Sequence, residues 1–222
     1  IKKFSLKFIK KKKIFGRYFQ ISRPNFLYEY FINTIECVEN YNLSNNKSYH
    51  YLTLYFKLLK KAGFNIINKK HVLYHIPEMR VVKFDNEYIH FHIDEKWLNF
   101  NKNVHNKIIE FIRLISLSQN IAISSNLGEN ILFDRISDEF SNNKNILFLK
   151  SPDFSNLISI IYHSKTCISS HSGFIVHLAA CYNKNIIDIV DQSIFNELDR
   201  WIPLNAIYKR YSLDNIEKIN LD

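Results

Sequence analysis

The stretch TCISSHSGFIVHLAACYNKNIIDIVD, Thr166 to Asp191, decides the fold. A short apolar run, Cys167 to Ser169, stops at a polar knot of Ser170, His171, Ser172 and Gly173. An alanine-rich apolar segment carrying His177 follows, and then a second β-branched run, Ile186 to Val190. Strand, tight turn, helix and strand in that order make a βαβ unit. The whole chain has only four glycines, so one at this junction marks a place where something comes close to the backbone.

Working outward, the same alternation extends upstream. The pattern predicts strands at Tyr88 to Ile93, Ile121 to Ser124 and Ile146 to Leu149. Between them lie helical patterns at Val104 to Leu117, Glu129 to Phe140 and Phe154 to Tyr162, and the next helix runs from Phe174 to about Tyr182. Strands alternating with helices of about ten residues imply an α/β fold, a Rossmann-like parallel sheet with helices on both faces. Upstream, Asn25 to about Asn42 and Tyr49 to Gly63 read as helices, and Asn65 to Met79 as a linker. The expected division is therefore a basic and helical segment, 1–86, and a Rossmann-like domain, 87–222.

The net charge of +9 is concentrated at one end. Residues 1–23 hold seven lysines, Arg17, Arg23 and no acid, while the 21 remaining basic residues balance 21 acids. Phe4, Phe8, Ile14, Phe15, Tyr18 and Phe19 are interleaved with those charges, a composition suited to an anionic membrane surface. Packing on a neighbouring domain is the competing reading. The neutral body offers no extended basic track for nucleic acid. No apolar run reaches the ~20 residues that cross a bilayer. The expected location is the cytoplasm, with peripheral attachment to the inner membrane through residues 1–23. The chain opens on Ile1 rather than Met, which admits a missing N-terminal part. Cys37, Cys167 and Cys181 lack zinc spacing and read as free thiols in a reducing compartment.

Candidate chemistry gathers at strand ends. Gly128 and Gly173 fall after strands, at expected helix starts, where free amides and the positive end of a helix dipole suit a phosphate. Lys96, beside Trp97, lies past the end of the first strand, where a cation can neutralise a diphosphate leaving group. His171 sits in the turn before Gly173 and His177 one helical turn beyond it. Ser172 lacks the GxSxG context of an activated nucleophile. His90 and His92 are two apart on a strand and share a face, a geometry that can seat a metal. No third ligand at a recognisable spacing completes such a site, and the expectation is no metal and no cofactor.

These pieces resemble, in order, the C-terminal half of glycosyltransferase family 9, the heptosyltransferase-like enzymes of bacterial surface-polysaccharide assembly. DEKW, Asp94 to Trp97, matches the family's lysine–tryptophan loop, and SSNLGEN its glycine–glutamate loop. SPDFSNLISIIYHSKTCISSHSGFIVHLAA, Ser151 to Ala180, matches its segment ending in Ser-Gly…His-Leu-Ala. The resemblance implies half of a GT-B enzyme that moves a sugar from a nucleotide-diphosphate donor to a glycan or glycolipid acceptor. Transfer would be inverting and metal-independent, in lipopolysaccharide or cell-envelope synthesis. The catalytic base would belong to an N-terminal acceptor domain, for which the residues before Tyr88 are too few. By the resemblance, Lys96 meets the donor phosphates, Glu129 the nucleoside, and Ser172, Gly173 and His177 the diphosphate-sugar, with Gly128 in the same substrate-binding loop as Glu129. His171 stands where the family has an aspartate, and one extra residue separates Gly173 from His177. Two rival readings stay open: an inert nucleotide-sugar-binding relative, and a metal-dependent hydrolase using His90 and His92.

Overall fold

A computed structural model of the chain describes residues 73, 76, 77, 80–82, 84–126, 128–204, 206–219 and 221. The helices expected between Asn25 and Gly63, and the basic segment 1–23, lie outside the described residues. The chain divides into two compact units, residues 1–69 with 197–201 and residues 70–196 with 202–222.

The second unit runs β1 (Tyr88–Ile93), α1 (Glu95–Leu98), α2 (Lys102–Ser116), β2 (Asn120–Ser125) and α3 (Ile131–Glu139). It continues with β3 (Ile146–Lys150), α4 (Phe154–His163), β4 (Thr166–Ser169), α5 (Gly173–Cys181), β5 (Asn185–Val190) and β6 (Tyr208–Ser212). A 3-10 helix, Leu213–Lys218, comes last. The six strands form one sheet in the order β3-β2-β1-β4-β5-β6, and every neighbouring pair is parallel. The α/β, Rossmann-like reading of the sequence therefore holds. Because the chain winds outward from β1 to β3 and then restarts beside β1 at β4, the order reverses between β1 and β4.

Alternation along the strands sorts the core into two layers. Ile89, Phe91 and Ile93 of β1 share a cluster with Ile121 and Ile123 of β2, Ile108 and Ile112 of α2, and Leu132 and Ile136 of α3. On the other face Cys167 and Ile186 pack against Ile158 and Ile161 of α4 and Ile175 and Val176 of α5. Burial on both sides is why these strands read as nearly continuous apolar runs. Three features depart from the sequence reading. α3 begins at Ile131, not Glu129, because Asn130 caps it by accepting from Phe133 N at 3.0 Å. The DEKW segment is a one-turn helix rather than a loop. β6, YKRYS, is absent from the expected strands, since it carries tyrosines and charges in place of an apolar run, as an edge strand can.

His90 and His92 are 0% and 2% exposed, so they face protein, not a cleft. His90 Nε2 and His92 Nδ1 both bond the one hydroxyl of Ser124, at 2.7 and 2.8 Å. That hydroxyl donates to one ring and accepts from the other, which suits two neutral imidazoles. Burial holds His90 well below the usual histidine range, and His92 down to about 4. Among the described residues no three metal-type ligands gather. The unfolded chain takes up protons at both rings below about pH 6.5, the folded one does not, and stability is lost as pH falls from about 6.5 toward 4. Asp94 works the other way: burial raises its carboxyl to about 6, so the folded state holds a proton there that the unfolded state releases. It offsets about one histidine. Urea midpoints taken from pH 7 to 4.5 should therefore show a net loss of about 1.4 kcal/mol per pH unit. A flat profile would show that these rings are solvated.

Candidate functional site at the switch point

In open parallel sheets ligands bind beyond the carboxyl ends of the strands, at the point where strand order reverses. Here that point lies between β1 and β4, and the segments that follow these strands carry Lys96, in α1, and the Ser170–Gly173 turn. Gly128 and Glu129 follow β2, the next strand over, and so lie on the same edge of the sheet.

Lys96 is held from several sides. Asp94, 2% exposed, caps α1 by accepting from Lys96 N at 3.1 Å. The next residue, Trp97, is fully buried against Phe91 and Phe100 and donates Nε1–H to His92 O at 2.9 Å. With its backbone fixed in this way, Lys96 sends Nζ across the switch point to donate to the carbonyl oxygen of His171.

The turn after β4 is organised by a residue that the sequence reading does not single out. Asp188, in the middle of β5 and 0% exposed, accepts from Ser169 Oγ at 2.9 Å and from His171 N at 3.1 Å through Oδ1. Its Oδ2 meets His171 Nδ1 at 2.6 Å and the Tyr208 hydroxyl at 2.7 Å. Arg210 Nε in turn donates to the Tyr208 oxygen at 3.1 Å. Burial first, and then the charge of Asp188, push the Tyr208 hydroxyl far above the ordinary tyrosine range. The signal in the sequence is an aspartate inside the β-branched run NIIDIV, where a buried carboxylate needs donors. Tyr208 carries no such signal.

His171 has φ 50°, a left-handed conformation uncommon for a residue with a Cβ. The contacts with Asp188 hold it there. Gly173 does not supply the turn's freedom: it has no left-handed φ, and a Cβ built on it would meet nothing within 4 Å. The glycine faces open space on an exposed residue. Ser172, half-buried, is the N-cap residue of α5 but gives no side-chain cap. By contrast Asp94, Asn101, Asn130 and Asp153 cap α1 to α4 with side-chain oxygens. No acid stands in the first turn of α5. Its first amides and positive dipole end are thus offered beside Lys96 with no carboxylate of their own helix to neutralise them.

The remaining candidates are His177, Gly128 and Glu129. His177, half-buried, lines an open apolar groove with Gly173, Phe154, Phe174 and Leu178. Gly128 and Glu129 are exposed, just before the start of α3. Cys167 and Cys181 are free, and burial pushes the Cys167 thiol up to about 12, which keeps it protonated.

Comparison with protein-family models gives no match, and neither does comparison with curated proteins. Among solved structures, the fold is similar to a glycosyl transferase family 9 protein of Veillonella parvula, with 12% identity and a TM-score of 0.57. That likeness covers 78% of this chain and 52% of the other. It is also similar to E. coli heptosyltransferase WaaC with ADP-2-deoxy-2-fluoro heptose, with 14% identity, a TM-score of 0.54, and 76% and 54% of the two chains covered. The chain therefore spans about half the length of these glycosyltransferases and shares the Rossmann-like fold of that half. Among the described residues no helix is long and apolar enough to cross a membrane.

Proposed function

We propose that residues 87–222 bind a nucleoside-diphosphate sugar and form the donor-binding half of a GT-B glycosyltransferase. The carrying observation is that Lys96 reaches across the switch point to the turn that opens an uncapped helix. With Lys96 Nζ on the carbonyl two residues before α5, that cation, the α5 amides and the helix dipole would together stabilise a diphosphate as donor and as leaving group without a metal. Gly173 leaves room for it. Gly128 and Glu129, on the adjacent loop, meet the nucleoside, and Ser172 and His177 the sugar side. The likeness in fold to WaaC, a structure solved with an ADP-sugar analogue, supports this reading. Transfer is inverting and its acceptor is a surface polysaccharide or a lipid-linked glycan, brought to an anionic membrane by residues 1–23. The base that activates the acceptor belongs to an N-terminal domain, of which residues 1–86 carry a part.

Calorimetry over ADP-, UDP- and GDP-sugars in EDTA tests the reading. At least one should bind, and Lys96→Ala should weaken it by about 1–3 kcal/mol, the range for removing a charged hydrogen-bond partner. No binding to any of them would sink the donor site. Binding abolished by EDTA would overturn the metal-independent reading.

A further inference from the structure

The His171 ring is nine-tenths buried, its Nδ1 is bonded to Asp188 inside the sheet, and its Nε2 meets no partner among the described residues and is not a buried atom. When neutral, a ring that donates Nδ1–H to a carboxylate presents a bare lone pair at Nε2. Every other fixed feature of the turn favours negative charge: the Lys96 ammonium on the His171 carbonyl, and an α5 N-terminus with no acid. The ring itself meets Asp188 of β5; Ser169 of β4 and Tyr208 of β6 bond that carboxylate, Arg210 of β6 bonds Tyr208, and Lys96 of α1 bonds the His171 carbonyl. Asp188 is the one acid among them, and it lies where it stabilises an imidazolium. We propose that His171 is a specificity residue, whose imidazole, anchored by Asp188, takes a proton as the ligand arrives and donates Nε2–H to an anionic oxygen of that ligand.

This rests on the proposed donor site and deepens it. The anionic oxygen belongs either to the diphosphate or to an acidic sugar, and both would be met by the same N–H. An aspartate at this position would instead accept from sugar hydroxyls and repel either anion. Since the phosphates of a nucleotide sugar do not titrate near neutrality, a proton taken up on binding comes to the protein.

The experiment is calorimetry on the 222-residue chain with ADP-glucose, UDP-glucose, GDP-mannose and UDP-glucuronate, in buffers of different ionisation enthalpy. Binding should take up as much as one proton per ligand and weaken as pH rises. His171→Asn keeps a residue that tolerates the left-handed backbone and can still donate to Asp188, but it removes Nε2. It should lower affinity about tenfold or more and abolish the proton uptake. Equal weakening of all ligands that bind places the anion in the diphosphate, and weakening of UDP-glucuronate alone places it in the sugar. Unchanged affinity in the variant, or uptake that persists and so belongs to another group, overturns the role of His171 while leaving the donor site standing. No binding by the wild type overturns both. Should His171→Asn fail to fold, long-range proton–nitrogen NMR of the wild-type ring decides: conversion from the Nδ1–H tautomer to imidazolium on adding ligand supports the proposal, and an unchanged ring overturns it.

Discussion

Replacing Gly173 with valine is expected to abolish nucleotide-sugar binding while leaving the fold intact. The two halves of that expectation have separate physical causes. Among the described residues no atom lies within 4 Å of where the Cβ would stand, and the residue needs no left-handed backbone, so the chain accepts the side chain. Stability should stay within about 1 kcal/mol, because the loss of glycine's unfolded-state freedom works in favour of the variant and β-branching at the first helical turn works against it. A ligand oxygen held by the α5 amides, however, must approach to hydrogen-bond distance, which a branched side chain prevents. Affinity should fall by about 100-fold or more, the loss of two charge-assisted hydrogen bonds at least. Thermal melting and calorimetry on the same sample check both parts. Full binding by a well-folded Gly173→Val protein would show that the helix start is not where the phosphate sits.

Asp188→Ala is expected to act on stability instead. The carboxylate is 0% exposed and serves Ser169 Oγ, His171 N, His171 Nδ1 and the Tyr208 hydroxyl together. Alanine leaves those donors facing a void in the sheet, and His171 loses the carboxylate that holds its left-handed backbone. Breaking a buried charged network by removing one member costs about 3–5 kcal/mol, which urea denaturation at neutral pH will read as a lowered midpoint. Tyr208→Phe, which removes one donor and keeps the packing, should cost about 1–2 kcal/mol. A loss below about 1 kcal/mol for Asp188→Ala would mean that the four donors find water and that the turn is not set by this carboxylate.

Sequence alone determined the architecture of the domain, since period and burial are written locally. Apolar runs of four to six residues alternating with amphipathic helices already specify strands buried on both faces, and the two-residue spacing put His90 and His92 on the face opposite Ile89, Phe91 and Ile93. Lys96 and the Ser172–Gly173 turn were legible too, because a cation and a glycine at strand ends have a direct electrostatic and steric meaning. Helix starts were less so: at Gly128–Glu129 the cap chemistry of Asn130 overrode the glycine signal. β6 was hidden because YKRYS carries tyrosines and charges where the other edge strand, β3, has the apolar run ILFL. Tertiary structure decided what each polar group touches. Nothing local says that Asp188 meets a turn 17 residues earlier and a tyrosine 20 residues later, or that Lys96 reaches a carbonyl 75 residues away. Those contacts follow from strand order, β1 beside β4 and β4 beside β5, and strand order is fixed by which faces the whole chain must bury. Pairing of buried charge is therefore a non-local property: the sequence shows that Asp188 needs donors, and only the folded sheet chooses them.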